Sequence, residues 1–269
     1  DKLEIKRVHM GLVFLYEDQR EGIPIVQTTT GLEYEITSKI KKMVDDQKQV
    51  IGLARFEGQT VATENIRTQL QESYRVRQVT MSQTVAAEVN LLFVSGVTDS
   101  ISDDELKNLK DYIDRGGNLF LTQSSIDASL QTQRGMPIVS NLFEVLETYG
   151  VNIENNLVLD EFCNNITVTQ QRGFFRINTA VAYPFFPIVR SFGDHVMVEG
   201  LEQVHLLFPS EISYDSTDST ATVRPLFTTS DRSGIAAGFF NLSPIENPMF
   251  ETLTDVGRTV GVYATSKLG

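Results

Sequence analysis

Sulfur and imidazole chemistry is nearly absent from this sequence. Its 269 residues include one cysteine, Cys163, so no disulfide can form within the chain and no cysteine-based structural zinc site can be built. The three histidines, His9, His195 and His205, have no metal-ligand spacing among them, which argues against a histidine metal site. Positive charge is also scarce. Lys and Arg number 23 against 35 Asp and Glu, a net charge of −12. Such a chain has little with which to release counterions from a phosphate backbone, so nucleic acid is excluded as a partner, and docking on anionic lipid is disfavoured. No apolar run approaches the roughly 18 residues of a membrane-spanning helix. The chain has no initiator Met and opens inside what reads as a strand, so we expect a soluble piece of a longer, membrane-anchored protein.

What remains is the patterning of an ordinary globular protein, with 41% hydrophobic and 22% charged residues. Its clearest segment is VNLLFVSGVTDSISDDELKNLKDYIDRGGNLFLTQ, Val89 to Gln123. The run over 89–94, apolar but for Asn90, reads as a strand buried on both faces. Ser102 followed by Glu105 forms a capping box, and Asp103 and Asp104 suit the positive end of the helix dipole. Leu106, Leu109, Tyr112 and Ile113 define the inner face, and Gly116-Gly117 ends the helix. Leu119 to Leu121 follows as a second buried strand, which completes a parallel βαβ unit.

Upstream, residues 3–27 read as a hairpin with a long polar loop over 17–22, and Pro24 marks the second strand as an edge. A capping box at Thr30 and Glu33 opens a helix whose inner face is Leu32, Ile36, Ile40 and Met43. The strand 49–54, a helix capped by Thr60 with Ala62, Ile66 and Leu70 inward, and the strand 76–81 come next. Strands and helices thus alternate from 49 to 122, which predicts an α/β fold with a mostly parallel, doubly wound sheet. Residues 124–136 show no period and read as a loop. A helix is predicted over 137–150, and NNLVLD (155–160) as a short strand. From 161 the runs are short and β-like, interrupted by prolines at 184, 187, 209 and 225 and by the polar loop 213–222, until a last strand at 258–265. The predicted division is 1–46, the hairpin and helix packing on the main domain, and 47–269, an α/β domain whose part 161–269 is β-rich.

Open α/β sheets bind ligands at the carboxyl ends of their strands. The candidate crevice residues are therefore Phe56, Glu57, Thr98, Asp99, Ser124 and Ser125. None of these loops has the glycines of a dinucleotide or P-loop fingerprint, and Thr122-Gln123-Ser124-Ser125-Ile126 lacks those of a nucleophile elbow. The acidic run Asp103-Asp104-Glu105 is explained by helix capping. Cys163 has no base near it in sequence and reads as an inert thiol. No cofactor, no metal and no catalytic residue is expected. The aromatics of Gly173-Phe174-Phe175…Tyr183-Pro184-Phe185-Phe186-Pro187 read as core, with a sugar-stacking surface as the alternative.

The order of four motifs carries a family resemblance. They are GLVFLYEDQREGIPIVQTTTGLEYEITSKIKKM, IGLARFEGQ, VSGVTDSISDDELKNLKDYIDRGGNLFL and NLFEVLETYGVNIENNLVLDE. Together they resemble the auxiliary, extracytoplasmic component of a bacterial ABC-type transport system linked to gliding motility. The resemblance implies a flavodoxin- or amidotransferase-like domain without the catalytic cysteine. It also implies a periplasmic location at the cytoplasmic membrane, anchoring through segments outside this sequence, and a non-enzymatic role beside an ABC permease and ATPase. The alternative function is a polysaccharide-binding module at the cell envelope. The third reading, a relict hydrolase or amidotransferase, would act through Ser124 or Cys163.

Overall fold

The structure is a computed structural model that describes residues 10–26, 28–29, 31–44, 48–59, 63–172, 175–214, 221–251 and 253–266. The predicted caps Thr30 and Thr60, Ala62, the polar break 45–47, the Gly173-Phe174 pair, most of the 213–222 loop and the strand residues before Met10 lie outside the described residues.

The chain opens with strands β1 (Leu12–Tyr16) and β2 (Gln19–Ile23), paired antiparallel. The predicted long loop is in fact a turn at Glu17-Asp18, with Glu17 at φ 49°, and the polar residues Gln19–Gly22 form the second strand. Pro24 therefore follows that strand and does not interrupt it. Helix α1 (Leu32–Val44) packs on this hairpin. Ile23 and Met43 are buried there, while Ile40, predicted inward, is exposed. Lys39 and Lys42 both pair with Glu21 across the contact, at 3.4 and 2.5 Å.

Next come β3 (Val50–Arg55), α2 (Glu64–Gln71), β4 (Arg75–Thr80), β5 (Val89–Ser95), α3 (Asp103–Asp114) and β6 (Asn118–Thr122). They form one parallel sheet of order β4-β3-β5-β6. Alternation along its strands sorts two apolar sets. Val50, Leu92 and Val94 pack with Leu109 and Tyr112 of α3 on one face, and Ile51, Leu53 and Phe93 with Ile66 and Leu70 of α2 on the other. The α3 boundaries follow their caps. Ser102 Oγ accepts from Glu105 N, and the Glu105 carboxylate accepts from Ser102 N. At the other end Gly116, at φ 88°, takes the left-handed position. Gly117 lets the ring of Tyr112 lie against the backbone, because a Cβ there would meet that ring at 2.5 Å.

Beyond β6 the predicted fold class is overturned. Of the seven sheets among the described residues, only the four-stranded one is parallel, and the remainder are small and antiparallel. The protein is not a flavodoxin- or amidotransferase-like, doubly wound fold. Residues 124–136 were expected to be a loop; instead they contribute β7 (Ile126–Ser129) and most of β8 (Arg134–Pro137), a hairpin. Helix α4 (Leu142–Thr148) is shorter than the predicted 137–150 and leads to β9 (Val151–Ile153) and β10 (Asn156–Asp160). A parallel strand needs a crossover of a dozen or more residues, whereas short turns return the chain antiparallel. After β6 no further crossover helix places a strand beside the sheet.

A long ribbon follows, β11 (Cys163–Arg172) paired with β12 (Phe175–Val189). The remaining strands are β13 (Ser191–Phe192), β14 (Val204–His205), β15 (Ile212–Tyr214), β16 (Ala221–Thr228), β17 (Ser233–Ala237), β18 (Phe240–Asn241) and β19 (Thr259–Ser266). Strand β10, buried at all five residues, pairs with β17, and β9 pairs with β15. The second core forms around Leu157, Leu159, Tyr183, Phe185, Phe240 and Leu242. Tyr183 and Phe185 are fully buried, and the Tyr183 hydroxyl donates to the Leu242 carbonyl at 2.8 Å. The described aromatics of the 183–186 cluster are therefore core, not a stacking surface. No helix among the described residues is long and apolar enough to cross a membrane.

Candidate functional site

The carboxyl edge of the parallel sheet is where an open α/β sheet would take a ligand, and here the protein fills it with its own side chains. Phe56, at the end of β3, turns into the core and is buried. The next residue, Glu57, donates its backbone N–H to Oε1 of Glu105 at 2.7 Å. Glu105 is itself only 1% exposed, and its Oε2 accepts from Ser102 N at 3.1 Å and from Ser102 Oγ at 2.9 Å. One capping carboxylate thus ties the start of α3 to the loop after β3.

Three carboxamides then hold the β5–α3 loop. Gln59 accepts from Thr98 N at 3.0 Å and donates to the Asp99 carbonyl at 3.3 Å. Gln123 accepts from Val97 N at 2.9 Å and donates to the Val97 carbonyl at 2.7 Å. Asn141 accepts from Ile101 N at 3.0 Å and donates to the Ile101 carbonyl at 2.8 Å. Each amide supplies the donor and acceptor that a neighbouring strand would have offered, so the loop is clamped at three points along residues 97–101. Nothing in the sequence distinguished these amides from other polar loop residues, since their partners on the loop lie 26 to 40 positions away.

Of the sequence-predicted crevice residues, the fold gathers Glu57, Thr98 and Asp99 at one edge, all with exposed side chains. Asp99 Oδ1 accepts from Ser100 N at 2.7 Å. Ser124 and Ser125 belong instead to a junction with the β-rich part. Ser210 Oγ lies 3.0 Å from Ser124 Oγ and 2.9 Å from Ser125 Oγ, and donates to the Asn156 carbonyl at 2.7 Å. Ser125 Oγ donates to the Glu154 carbonyl at 2.6 Å. These hydroxyls satisfy buried backbone groups, and among the described residues no acid or imidazole hydrogen-bonds to Ser124 or Ser125. A serine nucleophile needs a base in that position. Burial pushes the Cys163 thiol above its ordinary pKa, with Asp160 and Glu161 adding to the rise and a hydrogen bond from the Tyr183 backbone opposing it. That is the opposite of an activated thiolate. Among the described residues no group of three or more His, Cys, Asp or Glu side chains is placed to hold a metal.

A shallow groove of about 440 Å³ lies elsewhere, between the ends of β10, β12 and β16, lined by Phe162, Ser191, Thr229, Ser230, Asp231 and Arg232. Buried Asp160 shapes both of its walls. Its Oδ1 accepts from Phe162 N and Ser230 Oγ, each at 2.8 Å, and its Oδ2 accepts from Ser230 N at 2.6 Å. Arg190 stacks over the Phe162 ring at 5.4 Å.

Many of the donors and acceptors along the carboxyl edge of the parallel sheet are spent on the protein's own loops. A family model described as an ABC-type uncharacterized transport system matches residues 43–266. The chain belongs to this family. The match covers both the parallel sheet and the antiparallel sheets while leaving out β1, β2 and nearly all of α1. An uncharacterized protein of Borreliella burgdorferi is 28% identical over 200 residues, covering 71% of this chain and 38% of that protein. The chain thus spans well under half the length of this curated relative. Among solved structures, the mmIFT52 N-terminal domain aligns with a TM-score of 0.46 at 13% identity, over 68% of this chain and 74% of that one.

Proposed function

We propose that this chain is the extracytoplasmic, non-enzymatic domain of a membrane-anchored ABC-transporter accessory subunit, and that it acts by contact with the permease and ATPase subunits. The observation that carries this reading is the clamped carboxyl edge. Family membership supports a place in a transport system, and at the position where the sheet would bind a small molecule Glu105, Gln59, Gln123 and Asn141 meet the needs of the loops themselves. Of the predicted crevice residues, Glu57, Thr98 and Asp99 keep exposed side chains there for weak ligand binding. Affinity purification of the full-length protein from its native membrane tests this reading. The permease and ATPase should co-purify in stoichiometric amounts, and protease added to intact spheroplasts should reach this domain. Recovery without either subunit would refute the proposal, as would protection from the protease.

The sugar-binding alternative required an exposed platform within 174–186. The burial of Tyr183 and Phe185 and the packing of Phe186 against the second core remove the described members of that platform.

A further inference from the structure

The ribbon β11–β12 extends further than its role in the core requires. Its base is anchored, since Tyr183, Phe185 and Phe186 belong to the second core and the outer edge of β12 is bonded from Phe185 to Val189 by residues 204–208. Beyond that base the two strands pair with each other, Ile166 with Val181, Val168 with Thr179 and Gln170 with Ile177. Residues 176–180 are all exposed, and among the described residues no strand pairs with the outer edge of β12 from Arg176 to Ala182. The register puts Ile166, Val168, Ile177 and Val181 on one face together with Gln170 and Thr179, and Asn165, Thr167, Thr169, Arg176 and Asn178 on the other together with Ala180 and Ala182. Thr169 Oγ1 donates to Asn178 Oδ1 at 2.8 Å across the polar face. Two strands with an apolar face are marginal in water until a further strand or layer joins them. Natural free edges are blunted with charge, proline or short length. The sequence INTAVA over 177–182 has none of these.

Charge narrows the choice of partner. Each copy of the chain carries −12, so copies repel over most of their surface. Residues 162–193 contain no Asp or Glu, the longest such stretch in the sequence, and 177–189 carry no charge at all. The edge is also self-complementary. Antiparallel pairing about a twofold axis through Thr179 sets Ile177 opposite Val181 and Asn178 opposite Ala180, and moves the two Arg176 side chains apart, each facing an Ala182. Both apolar residues fall on the same face in both copies.

We propose that the chain forms a twofold dimer by edge-to-edge pairing of β12 with its counterpart in a second copy, centred on Thr179. The product is a four-stranded sheet, β11-β12-β12-β11, in which the apolar residues of both copies lie on one face and flank the Thr179 pair at the axis. Such an isologous contact closes on itself.

Light scattering on the purified chain should give the mass of two copies. Thr179→Lys, which places two ammonium groups face to face on the axis, should give the mass of one with an unchanged circular dichroism spectrum. In a Cys163→Ala background, Thr179→Cys should form an intermolecular disulfide on mild oxidation, because the Cα separation of directly opposed antiparallel residues suits one. Thr167→Cys, on the other strand of the ribbon, should not. A wild-type chain that stays monomeric would overturn the proposal. So would a dimer unaffected by Thr179→Lys, or cross-linking of Thr167→Cys as readily as Thr179→Cys. A monomer that co-sediments with phosphatidylglycerol vesicles through the ribbon would instead mark it as a membrane contact, and would also overturn the dimer.

Discussion

Glu105 Oε1 accepts the backbone N–H of Glu57 at 2.7 Å, which joins the first turn of α3 to the loop after β3. The same carboxylate closes the capping box with Ser102. A residue that caps one helix therefore also seals the edge of the sheet. Glu105→Ala leaves the N–H groups of Glu57 and Ser102 without their acceptor, at a cost of about 1–3 kcal/mol for unsatisfied buried groups. Glu105→Gln should lose less, because its amide oxygen still accepts. Urea unfolding of both variants, read as a shift in midpoint at constant slope, checks the order.

Gln123 exchanges two hydrogen bonds with Val97 and donates a third to the Ser124 carbonyl at 2.8 Å. Removing the amide in Gln123→Ala should destabilise by roughly 1–2 kcal/mol, and the effect should be local. Hydrogen exchange should accelerate at residues 97–99 while the amides of β3 and β5 keep their protection. Uniform acceleration over the whole sheet would show that the clamp is not a local device.

Ser210 is the hub between the parallel sheet and the β-rich part, since it meets Ser124, Ser125 and Asn156 through one hydroxyl. Ser210→Ala should cost about 1–3 kcal/mol, because Ser125 N–H loses its acceptor in a buried position. Thermal unfolding should show a lower midpoint. A second transition, should one emerge, would report that the two parts separate when the hub is lost.

Glu21 titrates below the usual carboxylate range, chiefly through its hydrogen bond from Lys42 and then that from Lys39, with burial opposing them. A depressed folded-state value means that the pairing contributes fully above the ordinary glutamate pKa and is lost as pH falls through the lower folded value. Acidification should therefore loosen α1 from the β1–β2 hairpin first. The pairs are at the surface, so the contribution is modest, about 0–1 kcal/mol each. The amide shifts of α1 followed by NMR from neutral pH to pH near 3 should move with one transition that Glu21→Gln abolishes.

The helix α3 was legible because everything that makes it is local. Its cap, its acidic first turn, its apolar face and its glycine stop lie within a few residues of one another. The adjoining strands 89–95 and 118–122 were legible for the same reason, being short apolar runs with clear ends. The direction of strand pairing was less so. The alternation from 49 to 122 does build a parallel sheet, but extending it to the whole chain failed once short turns replaced crossover helices. Prolines misled in a second way. Pro184 and Pro187 suggested that 161–192 was a series of short runs, yet both lie inside β12. The register between β11 and β12 jumps between Cys163/Pro187 and Asn165/Ala182, and Pro184 sits in that irregular stretch, where a missing N–H interrupts no regular ladder.

The sequence by itself determined the caps of α3, most of the strands that form the parallel sheet and the absence of a disulfide. Local hydrogen bonding, hydrophobic periodicity and composition settle those. Only the tertiary structure decided that Phe56 is core and that Ser124 and Ser125 face Ser210. It also decided that the carboxyl edge is closed by Glu105 and three amides. Those outcomes depend on partners brought together from distant parts of the chain, and a side chain that reads as free in a loop is free only if the fold leaves it without one.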